Sequence, residues 1–167
     1  FIGAEITGLD LKVVSKKQVA DIRAALLKHQ VVFFRDQTLN QQEHIHFARQ
    51  FGELEIHPAT PKGQNNPEVL NIAHGPESKG RENMWHSDVT WREKPSLGSI
   101  LKAVEVPAVG GDTLFANMAE AYERLPDDIK DMIAGKIAVH DIARVFAGRL
   151  NKTAEQLRET YPVMEHP

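Results

Sequence analysis

Apolar residues recur at helical spacing in two segments of the first part of the chain, and each segment opens with a helix-start signal. Ser15 and Gln18 form a capping-box pattern before the first segment, in which each side chain can satisfy a backbone N–H of the first turn. Asn40 and Glu43 repeat the pattern before the second, which is predicted to stop at Gly52. The apolar faces of these two predicted helices are Val19, Ile22, Leu26 and Leu27 in the first, and Ile45, Phe47, Ala48 and Phe51 in the second.

Two further helices are predicted in the second half of the chain. Asn117 followed by Glu120 repeats the start signal. Pro126 suits the first turn of a helix, because its fixed φ fits there and its missing N–H would have no intrahelical partner in any case. That helix carries apolar residues as far as Ile133 and is predicted to end at Gly135.

Short runs of β-branched and other apolar residues lie between the helices and predict strands. Residues 57–67 and 74–83 are instead rich in Pro, Gly, Asn and charge, and predict loops. Helices in the first half with strands gathering in the middle favour an α+β class, and the strand spacing favours a sandwich or barrel. The predicted strands are 31–34, 69–73, 99–106, 113–116 and 136–142.

Composition places the chain among ordinary globular proteins and argues against several classes of partner. Its 167 residues fit one domain, 1–167, and 26% of them are charged, with a net charge of −3. No basic run stands out, so neither nucleic acid nor a membrane surface is expected as a partner. No stretch approaches the ~20 apolar residues of a membrane-spanning helix.

The chain contains no cysteine and eight histidines. Disulfides and thiolate metal sites are therefore excluded, and any transition-metal site must use His with Asp or Glu. The lack of cysteine fits a reducing compartment, and Phe1–Glu5 has neither the basic nor the long apolar region of a signal peptide. A cytoplasmic location is therefore expected. The chain begins without Met, so we also expect that it is trimmed at that end.

The pattern that carries chemistry is His86 with Asp88, one residue apart. In an extended chain, side chains two positions apart point to the same face, so an imidazole and a carboxylate would converge on one point. They would supply two of the three ligands of a 2-His-1-carboxylate facial triad, which binds non-haem Fe(II) and leaves positions open. On spacing alone, the commoner interpretation is a surface strand end whose His and Asp only hydrogen-bond.

The residues around this pair resemble a known family. The segment Trp85–Trp91 is similar to the W-H-[ST]-D-x-[ST]-[FW] signature of the taurine dioxygenase (TauD/TfdA) family of Fe(II)/2-oxoglutarate-dependent dioxygenases. The resemblance extends over nearly the whole chain, because other segments follow in the family's order and spacing. These segments are 31–37, 47–54, 57–58, 110–115, 121–122, 125–126 and 140–141.

The resemblance implies a fold and a set of site residues. The expected fold is a double-stranded β-helix, or jelly roll, with flanking helices and with its C-terminal strands absent from this chain. His86 and Asp88 would be the first and second iron ligands, and the Thr113 hydroxyl would hold a carboxylate of 2-oxoglutarate. His57 would lie near the acidic group of the substrate, and Phe146 would form an aromatic wall of the pocket.

Each of the last three positions also has a plain structural interpretation. Thr113 fits a β-branched strand residue after a Gly-Gly turn, which the family match outweighs. His57 fits a loop histidine that caps a turn, and this interpretation stands on an equal footing with the substrate contact. Phe146 fits a core residue at least as well as a pocket wall.

The implied reaction is hydroxylation of a small organic acid, with Fe(II), 2-oxoglutarate and O₂ as cofactors and succinate and CO₂ as co-products. Two departures argue against taurine as the substrate: Thr60 stands where the taurine enzymes have tyrosine, and Glu82 stands where they have asparagine. A carboxylate at position 82 would repel an anionic group if it faced the pocket. An alkyl sulfate, another sulfonate or a different small acid is therefore expected as the small-molecule partner.

The family's third iron ligand and its 2-oxoglutarate-binding arginine lie beyond the last residues of this chain. The ending Glu165-His166-Pro167 is similar to a mid-chain segment of the family, so His166 is not expected to be the third ligand. Residues 1–167 alone are therefore expected to be inactive. The alternatives are a non-catalytic or a zinc-binding β-sandwich module on the same scaffold, and homo-oligomerisation is left open.

Overall fold

The structure is a computed structural model that describes residues 2–75 and 85–167. The predicted loop 74–83 and the position of Glu82 therefore lie largely outside the described residues. In chain order, the elements are β1 Ala4–Glu5, α1 Lys16–His29, β2 Val32–Phe33, α2 Gln41–Arg49, α3 Met118–Glu123, α4 Asp127–Ile133, β3 Ala138–His140, α5 Ala143–Phe146, α6 Ala154–Thr160 and β4 Met164–His166.

The chain forms two compact units, each built from two separate stretches of sequence. The first unit comprises Phe1–Leu54 and Ile100–Met132, and the second comprises Glu55–Ser99 and Ile133–Pro167. The sequence-based expectation of a single domain stays a prediction. Within residues 2–75 and 85–167, no helix has the combined length and apolar character needed to cross a bilayer.

The first unit begins with a β-α-β arrangement. Strands β1 and β2 pair in parallel, with Ala4 opposite Val32, and α1 connects them. The predicted capping box at Ser15 is present and starts α1, because it satisfies backbone N–H groups that have no intrahelical partner. The helix ends at Gln30 in the left-handed conformation, with φ of 65°. The buried core of this unit consists of Leu11, Ile22, Leu39 and Phe47.

The other three predicted helices are confirmed with shifts at their ends. The Asn40–Glu43 capping box starts α2, and the Asn117 side chain accepts a hydrogen bond from the Glu120 N–H at the start of α3. Helix α2 ends at Arg49, three residues before the predicted stop at Gly52. Helix α4 ends at Ile133, close to Gly135, which has φ of 68°.

The second unit packs around a small apolar core. Its buried members are Trp91, Ile142, Ala143 and Leu157. Strands β3 and β4 pair antiparallel, with Ala138 opposite His166, and α5 and α6 lie between them in sequence. The core therefore joins Trp91, which follows the His86–Asp88 pair, to two helices that the sequence analysis did not predict.

Three of the predicted strands are wrong. The segments 69–73, 99–106 and 113–116 form no strand, whereas 31–34 and 136–142 contain β2 and β3. A strand exists only through its hydrogen-bonded neighbour, and these segments have no such ladder within the described residues. Their apolar side chains are largely exposed there: Val104 is 89% exposed and Leu114 is 72% exposed. The described residues thus contain two sheets of two strands each, and the complete jelly roll stays a prediction.

Candidate metal centre

His86 and Asp88 approach each other at the surface of the second unit. The distance from His86 Nε2 to Asp88 Oδ1 is 3.5 Å, and both side chains are more than half exposed. The two side chains converge without the strand from which convergence was predicted, because residues 85–87 form no strand and 88–90 form a turn. Convergence alone does not make them ligands, and their role in iron binding stays a prediction.

The turn after Asp88 holds its backbone in an unusual conformation. Val89 has φ of 49°, in the left-handed region that β-branched residues rarely adopt. Such a conformation costs about 1–3 kcal/mol and persists only where the surroundings enforce it. Val89 packs against the core of the second unit, and the N–H of Arg92 donates to its carbonyl at 3.0 Å. The turn therefore depends on packing that begins directly after the candidate ligands.

Residues 90–92 are anchored by side chains from the paired strands β3 and β4. The distance from His140 Nδ1 to Thr90 Oγ1 is 2.8 Å. His166 Nε2 lies 2.9 Å from the carbonyl oxygen of Thr90 and 3.1 Å from that of Arg92. Since carbonyl oxygens only accept, His166 Nε2 must carry the proton and donate to them. That nitrogen is engaged in a structural contact, and the expectation that His166 is not the third iron ligand stays a prediction.

Trp91 also anchors the segment that follows Asp88, through its packing contacts. It is 9% exposed, and its ring meets Tyr161 edge to face with the centroids 5.0 Å apart. The Arg92 guanidinium lies 4.7 Å from the centroid of the Trp91 ring and donates from Nε to Glu55 Oε1 at 2.7 Å. The segment that carries the candidate ligands is therefore tied to the core and to a neighbouring loop.

The donor atoms fit two positions of a facial triad. Two adjacent ligand atoms, each about 2.1 Å from an octahedral metal, lie about 3.0 Å apart, so the observed 3.5 Å requires only a small closure. Imidazole nitrogen with carboxylate oxygen is the donor set that suits non-haem Fe(II). No group of three His, Cys, Asp or Glu side chains that could hold a metal occurs within residues 2–75 and 85–167.

His57 and Phe146, predicted to contact substrate, lie against each other in the second unit. Their ring centroids are 5.3 Å apart. His57 also caps a turn, as its plain interpretation predicted: its Nδ1 accepts from the Ala59 N–H at 3.1 Å, and its carbonyl accepts from the Thr60 N–H at 2.8 Å. Phe146 also packs against the buried core of this unit. Both residues therefore make the structural contacts that their plain interpretations predicted. Their contact with substrate stays a prediction.

Thr60 has an unsatisfied hydroxyl. Its Oγ1 is buried and has no hydrogen-bond partner among the described residues. Buried polar atoms are nearly always paired, so an exception calls for an explanation, such as a ligand or water that pairs with the atom. Thr113, by contrast, belongs to the first unit, and its predicted proximity to the His86–Asp88 pair stays a prediction.

Burial is the main influence on the pKa of the His57 imidazole. It lowers the pKa of His57 below its ordinary value of 6.5, the carboxylates of Glu55 and Asp88 oppose the shift, and the Arg92 guanidinium adds to it. A neutral ring whose Nδ1 accepts a hydrogen bond carries its proton on Nε2. His57 is therefore a neutral donor at physiological pH, within electrostatic reach of Asp88.

The Glu55→Gln substitution is expected to lower the His57 pKa further, because it removes a carboxylate that favours the charged ring. NMR titration of the His57 ring protons in the metal-free protein measures this shift. Glu93→Gln, at an exposed acid of the same unit, should leave the titration unchanged.

The lowered pKa of His57 in the unsubstituted protein predicts how stability depends on pH. The unfolded chain takes up the His57 proton at a higher pH than the folded chain does, so this contribution to stability falls as the pH drops from 6.5 through the lowered pKa. A His57 pKa at or above 6.5 in the folded protein would contradict the prediction.

Similarity to solved structures assigns the class of protein. The crystal structure of a taurine dioxygenase from Burkholderia xenovorans matches with a TM-score of 0.72 and 41% identity, over 84% of this chain and 50% of that chain. The fold is thus that of the α-ketoglutarate-dependent dioxygenases of the taurine dioxygenase type, which have a jelly-roll core.

The chain belongs to the taurine catabolism dioxygenase TauD, TfdA family, whose model matches residues 1–167. The membership inferred from the signature segments is thereby confirmed, and with it the family's dependence on Fe(II), 2-oxoglutarate and O₂.

Two curated relatives match most of this chain. An α-ketoglutarate-dependent sulfate ester dioxygenase of Pseudomonas putida is 41% identical over 141 residues, which is 83% of this chain and 46% of the relative. An alkylsulfatase of Acinetobacter baylyi is 35% identical over 176 residues, covering 99% of this chain and 55% of the relative. The chain therefore spans about half the length of the curated relatives that it matches.

Proposed function

We propose that the complete protein containing this chain is an Fe(II)- and 2-oxoglutarate-dependent dioxygenase that hydroxylates a small organic acid, with an alkyl sulfate ester as the leading substrate class. The observation that carries this proposal is the His86–Asp88 pair, whose donor atoms are 3.5 Å apart within a signature segment of the matched family. An imidazole and a carboxylate on one side of a metal leave the open positions that oxygen activation requires.

Each proposed site residue has a distinct task. His86 Nε2 and Asp88 Oδ1 would hold the iron, and the Thr113 hydroxyl would hold a carboxylate of 2-oxoglutarate. The bound iron and 2-oxoglutarate supply the oxidising chemistry, in which 2-oxoglutarate and O₂ yield succinate and CO₂ while the substrate gains an oxygen atom. The protein's own residues would fix the geometry around the metal.

An anionic substrate group suits the surroundings of His57. Because its Nδ1 accepts a hydrogen bond, its Nε2–H is a donor. A sulfate oxygen would accept from this donor, and the Phe146 ring beside His57 would pack against the substrate's alkyl chain. A sulfonate or carboxylate would present similar oxygens, so the substrate class rests also on the two relatives that act on sulfate esters and alkyl sulfates by name.

Hydroxylation of an alkyl sulfate explains how such an enzyme would release sulfate. A hydroxyl group placed on the carbon that bears the ester oxygen gives an unstable product, which loses that oxygen together with the sulfate. The C–O bond breaks, the hydroxyl proton leaves, and an aldehyde remains. One O₂ and one 2-oxoglutarate are consumed per sulfate released.

The test compares the complete gene product with residues 1–167, each with Fe(II), ascorbate, 2-oxoglutarate and a panel of alkyl sulfates and sulfonates. We expect substrate-stimulated succinate and stoichiometric sulfate from the complete protein, and neither from residues 1–167, which hold two of the three ligands. Sulfate release with Zn²⁺ and without 2-oxoglutarate would instead favour a hydrolytic site. No metal binding by the complete protein would favour a non-catalytic module.

A further inference from the structure

The two carboxylate oxygens of Asp88 have different neighbours. Oδ1 faces His86 Nε2 at 3.5 Å. Oδ2 accepts a hydrogen bond from Ser99 Oγ at 3.1 Å, from a residue eleven positions further along the chain. Ser99 and Asp88 both belong to the second unit, so this contact lies within one compact body.

An exposed carboxylate without such a contact would be free to rotate. The terminal torsion of an aspartate side chain is broad and nearly two-fold, so either oxygen could face the imidazole, or both could bind one metal. A hydrogen bond to one oxygen removes this equivalence. It also orients the lone pairs of the remaining oxygen, as partners outside the ligand set commonly do at metal sites.

We propose that Ser99 is a positioning residue of the candidate metal centre: its hydroxyl holds Asp88 Oδ2 and reserves Oδ1 as the single oxygen for the metal beside His86 Nε2. This inference rests on the proposed function, because it assumes that Asp88 is a ligand. A carboxylate bound through one oxygen occupies one coordination position. The positions that 2-oxoglutarate and O₂ need at the metal thus stay open.

The same loop contains a matched comparison residue. Ser96 lies three positions before Ser99, and its Oγ donates to Glu55 Oε2 at 2.8 Å. Both serines therefore donate a hydroxyl hydrogen bond to a carboxylate within the second unit, but only that of Ser99 reaches a candidate ligand. Replacing each serine by alanine separates positioning of the ligand from a general effect on the loop.

The experiment measures Mn²⁺ affinity by the loss of the free-ion EPR signal, in the complete wild-type protein and its Ser99→Ala, Ser99→Thr and Ser96→Ala variants. Ser99→Ala is expected to weaken Mn²⁺ binding about 10–100-fold, as losing an outer partner of a ligand typically does. Ser99→Thr keeps the hydroxyl and is expected to restore binding to within about 3-fold of wild type, and Ser96→Ala to bind like wild type. The metal-free melting temperature should be the same for Ser99→Ala and Ser96→Ala, because each variant loses one hydroxyl hydrogen bond to a carboxylate.

The outcomes distinguish this inference from the proposed function. Equal Mn²⁺ affinity of Ser99→Ala and wild type would overturn the role of Ser99 and leave the dioxygenase proposal intact. Weakened Mn²⁺ binding by Ser99→Ala, in a protein that oxidises no substrate, would support the role of Ser99 while the proposed reaction fails. Mn²⁺ binding that does not respond to Asp88→Asn would overturn both.

Discussion

Asp88→Asn is expected to weaken Fe(II) or Mn²⁺ binding by the complete protein more than about 100-fold and to abolish 2-oxoglutarate turnover. The substitution keeps the size of the side chain but removes the negative charge and the carboxylate donor. Changes in partners outside the ligand set alone cost about 10–100-fold in metal affinity, so loss of a ligand should cost more. His86→Gln is expected to have an effect of the same order, because the imidazole donor is lost.

The controls replace exposed side chains of the same chemical types. Glu93→Gln removes an exposed carboxylate five positions beyond Asp88, and His46→Gln removes an exposed imidazole. Both should bind metal like wild type in a titration followed by EPR, and both should form succinate at the wild-type rate. Metal-dependent turnover by Asp88→Asn would exclude Asp88 as a ligand, and the assignment of the centre would then fail.

Leu157→Ala is expected to lower the free energy of unfolding of the second unit by about 2–5 kcal/mol, the range observed when a buried leucine is truncated. Leu157 is fully buried, at 0% exposure, and shares its core with Trp91. The loss combines reduced apolar burial with the cavity left behind. Denaturant unfolding followed by circular dichroism measures it as a shift of the midpoint at unchanged slope.

Val145→Ala is the matched control for Leu157→Ala. Val145 lies in α5 of the same unit but is 54% exposed, so its truncation should change the free energy of unfolding by no more than about 0.5 kcal/mol. Equal midpoints for the two variants would show that the apolar cluster around Trp91 does not determine the stability of this unit.

Local signals account for the elements that the sequence predicted correctly. Helices α1 and α2 start at capping boxes whose partners are three residues apart, and α3 starts at Asn117, whose side chain accepts a hydrogen bond from the Glu120 N–H. The capping box of α6 at Thr153 and Gln156 gave the same signal, so this helix could have been predicted. Helix α5 has no side-chain cap hydrogen bond and spans one turn, which leaves little local pattern to detect.

Strands were predicted less well because their stability is not local. Val104 and Leu114 lie in apolar runs typical of strands, but neither run pairs with another within the described residues. Conversely, β1 and β4 contain only two and three residues. They exist because a distant segment pairs with them: β1 pairs with residues 28 positions away, Ala4 with Val32. Apolar pattern alone carries no information about which partner is present.

The candidate centre likewise combines residues that local sequence predicts with residues that only distant contacts reveal. His86 and Asp88 could be predicted because their chemistry and spacing are written in the sequence. Ser99 could not be predicted, because a serine eleven residues away has no pattern that distinguishes it from Ser96. The anchoring role of His140 likewise depends on a contact with Thr90 fifty residues away, which only the folded chain reveals.

The contacts of His166 determine how late in synthesis the segment after His86 and Asp88 becomes anchored. Its hydrogen bonds reach back 76 residues to Thr90 and 74 residues to Arg92. At about 5–20 residues per second, the ribosome needs about 4–15 s to make the intervening chain. During that interval the nascent segment with His86 and Asp88 lacks the His166 hydrogen bonds, even when metal is present. We therefore expect the centre to acquire its metal late, after strands β3 and β4 have left the exit tunnel, rather than while His86 and Asp88 themselves emerge.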